Sequence, residues 1–305
     1  MRELAVGGLA GVTVLALWWE TRRPPGRARS SLRVAATWSA AWLLIGLLPA
    51  AVIGVFDDSR QATSYAAVYL IERALSIDNV FVFVVLIAAF RIPAREHDRL
   101  VNRGSLMAFA MRAPAIVAGV ALLNAVHPIG YALGLLLLVL AWQAARADPA
   151  KESAGPSRAV AALQRRLPVS EHVERRWIVR SGGRRQATPA LMCLLALALA
   201  DLAFAADSIP AGLAISHDQV LLLTANLFAL LGLRPLYHAL VIARTRLRYM
   251  NQTIAALLLL AGLKQLATDL VEVTPVTSLV AVSATFALGS AASLYATRRT
   301  AHQRA

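Results

Sequence analysis

"LALADLAFAADSIPAG", residues 197–212, sets two aspartates, Asp201 and Asp207, inside a run that is otherwise almost wholly apolar. The rest of the chain is apolar in the same way: 305 residues, 58% hydrophobic, with a mean hydropathy of +0.59. A soluble domain of this length is less apolar and more highly charged. Several runs reach the roughly 18–20 residues that a helix needs to cross a bilayer. Backbone groups in lipid are satisfied within their own segment, so such spans are helices. The expectation is an all-α polytopic membrane helix bundle of about nine transmembrane helices. The spans fall at 4–19, 34–55, 66–90, 105–123, 128–145, 190–214, 219–243, 252–269 and 276–296.

The formal charge of +14 would suit a nucleic-acid partner, but its distribution points elsewhere. Of the 31 Lys and Arg, 25 fall in five segments, 20–34, 91–104, 146–188, 244–248 and the C-terminal tail. The alternate segments hold only Arg2 and Arg60, and they carry Glu3, Asp57, Asp58, Asp218, Asp269 and Glu272. This is positive-inside patterning at every loop, with the N-terminus outside and the C-terminus in the cytoplasm. No nucleic acid is implied; the partner is the lipid bilayer. The first span reads as a retained helix and not a signal peptide: Glu3 cancels Arg2, no small-x-small site follows, and five Arg come directly after it. The single cysteine, Cys193, lies within a span, offers no disulfide and reads as a small core residue.

The loop 146–189 is basic and holds Gly155, Pro156, Pro168 and "SGG" at 181–183, with an amphipathic pattern at 157–167. It reads as a cytoplasmic connector lying on anionic lipid, with docking of membrane protein partners as the alternative.

A weak internal repeat carries more information. "ERALSIDNVFVF" at 72–83 and "DLAFAADSIPAG" at 201–212 each give a carboxylate, five residues, then Asp and a small polar residue. Glu72, Asp78 and Asn79 thus match Asp201, Asp207 and Ser208. Downstream, "GSLMAFAMR" ends at Arg112 and "NLFALLGLR" at Arg234, at equal spacing from Gly104 and Asn226. The chain divides into two N-terminal spans (1–65), a first three-helix repeat (66–145), the basic loop (146–189), a second repeat (190–269), and a last span with its tail (270–305). An offset of three spans inverts the second repeat relative to the first, and polar breaks at matching places in inverted repeats mark a transporter's midplane site.

Eight acids and bases lie within the spans: Glu72, Arg73, Asp78, Arg112, Asp201, Asp207, Arg234 and Lys264. Each charge at a helix centre costs about 2.5–3.5 kcal/mol on insertion scales, so the four carboxylates together cost on the order of 10 kcal/mol. Pairing with the four bases is one explanation. Cation binding is the other, and it accounts better for acids that recur with an amide or hydroxyl beside them. Residues i and i+7 lie about 20° apart round a helix, so Glu72 shares a face with Asn79 and Asp201 with Ser208. Asp78 and Asp207 converge on that face only where the helix unwinds, which Pro210 would permit at "DSIP". The donor set is oxygen-rich: Glu72, Asp78, Asn79, Asp201, Asp207, Ser208 and Asn226. Such ligands suit Mn²⁺, Ca²⁺ or Mg²⁺ better than Zn²⁺ or Cu⁺. The six His lie near span ends or in loops and read as structural. Arg112 and Arg234 either neutralise the empty site or hold its carboxylates when the cation leaves; Lys264 can do the same, or exchange a proton.

At these residues the chain resembles the TerC family of integral membrane proteins, named for tellurium resistance and placed near the LysE-type exporters. The matching stretches are "ERALSIDNVFVFVVLIAAFRIP", "GSLMAFAMRAPAI", "LQRRLPVS", "ATPALM", "ADLAFAADSIPAGLAIS", "TANLFALLGLRPLY" and "LLAGLK". The resemblance implies a bundle of inverted three-helix repeats in the bacterial cytoplasmic membrane, and export of a divalent cation, chiefly Mn²⁺, with no organic cofactor. It also implies links to metal supply, alkaline pH and tellurite. The family's acidic motifs fall on Glu72, Asp78, Asn79, Asp201, Asp207, Ser208 and Asn226. Two positions depart from the family pattern. Ala198 stands where many members have Glu, and 269–275 reads "DLVEVTP" where many have His.

Mn²⁺ export therefore leads, with Ca²⁺ as alternative cargo. A carrier of an amino acid or oxyanion fits four buried acids poorly. A non-transporting scaffold in a membrane complex for tellurite or metal stress is the alternative from another class. No enzyme is expected: an intramembrane aspartyl protease would need a "GxGD" element, and "FAAD" and "LSID" stand in its place.

Overall fold

The computed structural model describes residues 31–56, 58–118, 120–146, 170, 176–181, 184–246, 249–267, 270 and 274–302. The expected span at 4–19, the amphipathic pattern at 157–167 and most of the basic loop lie outside the described residues. The described chain is a helical bundle: α1 (Leu32–Ile45), α2 (Leu48–Phe56), α3 (Ser59–Ala89), α4 (Ala94–Ala118) and α5 (Val120–Ala145), then α6 (Pro189–Ile215), α7 (Gln219–Leu231), α8 (Leu233–Arg246), α9 (Met250–Leu266) and α10 (Pro275–His302). A short antiparallel hairpin, β1 (Ile178–Ser181) and β2 (Arg184–Ala187), precedes α6.

Local chemistry sets the helix ends. Asp58 caps α3 through Arg60 N at 3.1 Å, and Asp218 caps α7 through Val220 N at 2.9 Å and Leu221 N at 3.2 Å. Thr188 caps α6, with Pro189 in the first turn, where a missing N–H is harmless. Arg91, at φ 53°, takes the left-handed position that ends α3, and Ile92 N bonds back to Ile87 O at 3.1 Å.

Three expected spans change shape. The span at 34–55 is broken at Gly46–Leu47 into α1 and α2, and that at 219–243 is broken at Gly232 into α7 and α8. The span expected to begin at 105 begins at Ala94, because the charged residues 94–104 are helical too and bury Asp98, Leu100, Val101 and Gly104. Three stretches, Leu32–Val55, Pro189–Ala206 and Gln219–Arg244, are long and apolar enough to cross a bilayer on length and composition alone, with Tyr131–Ala145 and Val280–Ser293 as shorter apolar segments.

Both breaks are served by one stripe of α3. Tyr65 Oη donates to Gly46 O at 3.1 Å, and Tyr69 Oη to Trp42 O at 3.2 Å and Leu43 O at 3.1 Å. Arg73 donates to Ala229 O at 2.9 Å and Gly232 O at 3.0 Å. Residues 65, 69 and 73 follow at i, i+4 and i+8, hence along one side of the helix. They donate to carbonyls at the broken ends of the helices, where backbone amide partners run short (Trp42 O also accepts from Gly46 N at 3.0 Å), and Arg73 also sets positive charge at the carbonyl end of α7. Gly46 and Gly232 allow the approach: a Cβ on either would collide with Tyr69 or with the Arg73 guanidinium.

Helices from the two segments that the sequence reads as repeats pack against each other. α3 lies against α6 and α7, and α5 runs along α9. The α5–α9 contact is reciprocal. A Cβ on Gly134 would lie 3.1 Å from Gly262 O, and one on Gly262 would lie 3.0 Å from Gly134 O. Two glycines facing each other let the two backbones approach this closely. Two apolar cores result. One gathers Val80–Ile87, Leu100, Val101, Ala108 and Leu197; the other gathers Tyr65, Val68, Tyr69, Ala115, Ile116, Ile209 and Ala225. The boundary between them crosses α3 between Tyr69 and Val80 and α4 between Ala108 and Ala115, and a polar cluster fills it.

Candidate metal centre

Arg112 is the centre of that cluster. Its Nε donates to Asp201 Oδ2 at 2.7 Å, one terminal nitrogen donates to Asp201 Oδ1 at 2.8 Å, and the other to Glu72 Oε2 at 3.0 Å. Asn79 Nδ2 donates to Asp201 Oδ1 at 2.9 Å. The two carboxylates that the repeat pairs, Glu72 on α3 and Asp201 on α6, therefore meet on one guanidinium from α4. The bidentate grip on Asp201 is the geometry that arginine's planar fork provides. Helix register explains the assembly: Glu72 and Asn79 share a face of α3, and Asp201 and Ser208 a face of α6. All six polar groups, Glu72, Asn79, Arg112, Asp201, Ser208 and Asn226, are at most 4% exposed.

The cluster is not closed. Ser208 and Asn226 lie against the Glu72 carboxyl, but not in hydrogen-bond geometry. Ser208 Oγ, Asn79 Oδ1 and both polar atoms of the Asn226 amide are buried without a hydrogen-bond partner. Buried polar groups of this kind are normally satisfied, and each one left bare costs about 1–3 kcal/mol. Oxygens left bare beside two buried carboxylates are of the kind that hard cations favour as ligands. Among the described residues no group of three or more His, Cys, Asp or Glu is close enough to hold a metal, so any ion here takes amide and hydroxyl oxygens with the carboxylates. Arg112 stands on those carboxylates in this conformation, and a cation must displace it or share them.

The other sequence candidates fall elsewhere. α3 and α6 are unbroken at 78 and 207, and α6 continues through Pro210 to Ile215, so the expected unwinding at "DSIP" is absent. Positions 78 and 207 stay about 120° round the helix from Glu72 and Asp201; the side chains of Asp78 and Asp207 lie outside the described residues. Lys264 sits half-buried in the last turn of α9, where positive charge suits the carbonyl end. Arg234 pairs with Asp98 Oδ2 at 3.2 Å.

Asp98 anchors a second buried group that joins α4 to α8. His238 Nε2 donates to Asp98 Oδ1 at 2.5 Å. Beside it, His97 Nε2 lies 2.8 Å from Ile92 O and Nδ1 lies 2.9 Å from Tyr237 Oη. A carbonyl only accepts, so His97 Nε2 carries the hydrogen and Nδ1 accepts from the tyrosine. Asp98 and His238 are absent from the sequence candidates because 98 precedes the apolar run. Their signal is register: Asp98 lies fourteen residues before Arg112, within about 40° of it round the helix, on the buried stripe with Val101, Ala108 and Ala115.

The fold and this cluster define a polytopic membrane protein with a buried, carboxylate- and amide-lined polar centre. The chain belongs to the integral membrane protein TerC family, whose profile matches residues 57–301. It is 34% identical over 266 residues to an uncharacterized membrane protein, STKORF319, of Myxococcus xanthus, covering 86% of this chain and 82% of that one. It is 33% identical over 253 residues to the Alx protein of Escherichia coli (strain K12), provisionally named a membrane-bound redox modulator, covering 80% and 79%. The chloroplastic thylakoid membrane protein TERC of Arabidopsis thaliana is 31% identical over 215 residues, 70% of this chain and 56% of that protein. No solved structure matches.

Proposed function

We propose that this chain carries a divalent cation, Mn²⁺ foremost and Ca²⁺ as the alternative cargo, out across the bacterial cytoplasmic membrane, as a transporter and not an enzyme. The observation that carries the reading is the Glu72–Arg112–Asp201 cluster with its unsatisfied Asn79, Ser208 and Asn226 atoms. Arg112 is a tethered counter-ion. It holds the carboxylates when the site is empty, and the arriving cation takes its place. Asp78 and Asp207 remain candidate ligands by sequence alone, each one residue before Asn79 or Ser208. The loop charges give the orientation: N-terminus outside, C-terminus and the 146–189 loop in the cytoplasm. A redox role of the kind in the Alx name finds no thiol here to carry it, since the single Cys193 is buried in the core.

The test is Mn²⁺ flux in proteoliposomes of purified protein, with Ca²⁺, Mg²⁺ and Zn²⁺ as competitors. Wild type moves Mn²⁺, whereas Asp201→Asn and Asn226→Ala, verified as folded, do not. Folded wild type that moves none of these ions would overturn the transporter reading in favour of a scaffold.

A further inference from the structure

At the end of the bundle where α6 begins, two arginines converge on one indole. The Arg99 guanidinium carbon lies 4.2 Å from the centroid of the Trp177 ring, and that of Arg103 lies 5.0 Å from it. The arginines are one turn apart on α4. Trp177 is fixed in depth: its carbonyl accepts from Thr188 N at 3.0 Å and Thr188 Oγ at 3.1 Å. Thr188 is the cap of α6, and the apolar stretch Pro189–Ala206 starts at the next residue. The indole therefore lies level with the boundary between hydrocarbon and headgroups, where tryptophan is favoured.

Two like charges on one ring repel. Glu96 offsets one of them through Arg99 at 3.1 Å, and Asp98 is turned inward to Arg234 and His238, so among the described residues positive charge remains in excess. Arg103 is exposed and donates no hydrogen bond among the described residues. A guanidinium stacked on an aromatic face keeps its edge N–H groups for an anion, and their fork fits two oxygens of one phosphate. Apolar side chains are exposed close by in the chain: Ile178, which follows Trp177, is 54% exposed, and Leu195 and Leu199 lie exposed one turn apart along α6.

We propose that Arg99, Arg103 and Trp177 bind the headgroup of one anionic phospholipid, with its acyl chains lying along the exposed apolar side of α6. The occupant is a lipid and not a soluble anion because the cationic platform sits level with the first turn of the apolar stretch that begins at Pro189. The assignment is independent of the cargo of the transport site.

The test uses full-length protein in nanodiscs and in detergent. By native mass spectrometry, wild type retains phosphatidylglycerol in preference to phosphatidylcholine, and Arg99→Gln/Arg103→Gln loses that preference by about tenfold. Arg146→Gln, which removes a different arginine stacked on Trp142 at 4.3 Å, leaves it unchanged. Because the double variant can fail to fold, a second measurement uses intact arginines. The fluorescence difference between wild type and Trp177→Phe is quenched more by chain-brominated phosphatidylglycerol than by brominated phosphatidylcholine. Equal retention of the two lipids by wild type, equal quenching, or loss of preference in Arg146→Gln to the same degree would overturn the site. Release of the bound lipid by millimolar inorganic phosphate without any bromine quenching would overturn the lipid assignment in favour of a free anion.

Discussion

Arg112→Met separates the cluster's charge balance from its packing. Methionine keeps most of the volume and removes three hydrogen bonds, of 2.7, 2.8 and 3.0 Å, from two carboxylates at most 5% exposed. Breaking a buried pair by removing one partner costs about 3–5 kcal/mol, because the remaining charge is stranded. At about 2–4 °C per kcal/mol for a chain somewhat shorter than this one, the melting temperature falls by about 6–20 °C. The triple variant Glu72→Gln/Arg112→Met/Asp201→Asn strands no charge and regains most of the loss, to within about 1–2 kcal/mol of wild type. The assay is thermal unfolding of purified protein in one detergent at one pH. Mn²⁺ titration adds a second readout. Arginine and cation contend for the same oxygens, so Arg112→Met binds Mn²⁺ about 5- to 150-fold more tightly, the range a coupling of about 1–3 kcal/mol gives. An Arg112→Met protein as stable as wild type, or a triple variant no better than the single, would refute the reasoning.

Other substitutions read other parts of the structure. Asp98→Asn removes the carboxylate charge that Arg234 and His238 share and weakens the α4–α8 junction; unfolding should show a loss of up to about 3–5 kcal/mol, with little salt dependence because the pair is buried. Gly262→Ala brings a Cβ to 3.0 Å from Gly134 O, a backbone atom that cannot swing aside; a loss of about 1–3 kcal/mol is expected, and Gly134→Ala should match it if the contact is reciprocal. Pro210→Ala restores a donor within a helix that is already continuous, so stability rises, by up to about 3 kcal/mol. A fall would show that the proline relieves a constraint the ground state hides.

The segments and the charged layer were legible for different reasons. Hydropathy located the spans because lipid-facing helices are apolar all round, but it placed the start of α4 eleven residues late. The segment from Ala94 is helical through its pairing with α8 and its buried stripe, neither of which enters an average over neighbours. The break at Gly232 is marked by Gly232, Arg234 and Pro235, but an average over 219–243 is apolar enough for one unbroken span and hides it. In the cluster, i to i+7 register puts Glu72 and Asn79 on one face of α3 and Asp201 and Ser208 on one face of α6, and all four are buried. The partner of Arg234 was not legible, because the repeat equates it with Arg112 while the fold gives it Asp98. Proline at 210 misled in the opposite direction: it permits a break, and packing on both sides keeps α6 whole.

Tyr65, Tyr69 and Arg73 have a consequence for how the membrane-buried breaks can move. Each of the carbonyls they hold, from Trp42 to Gly232, sits where no water is needed to satisfy it. Bending at either break draws these oxygens off α3, and in hydrocarbon only water could then replace the lost donors. Flexing at the two joints is thus tied to wetting. Neither opens until an aqueous path reaches it, and both paths must end on the same side of α3.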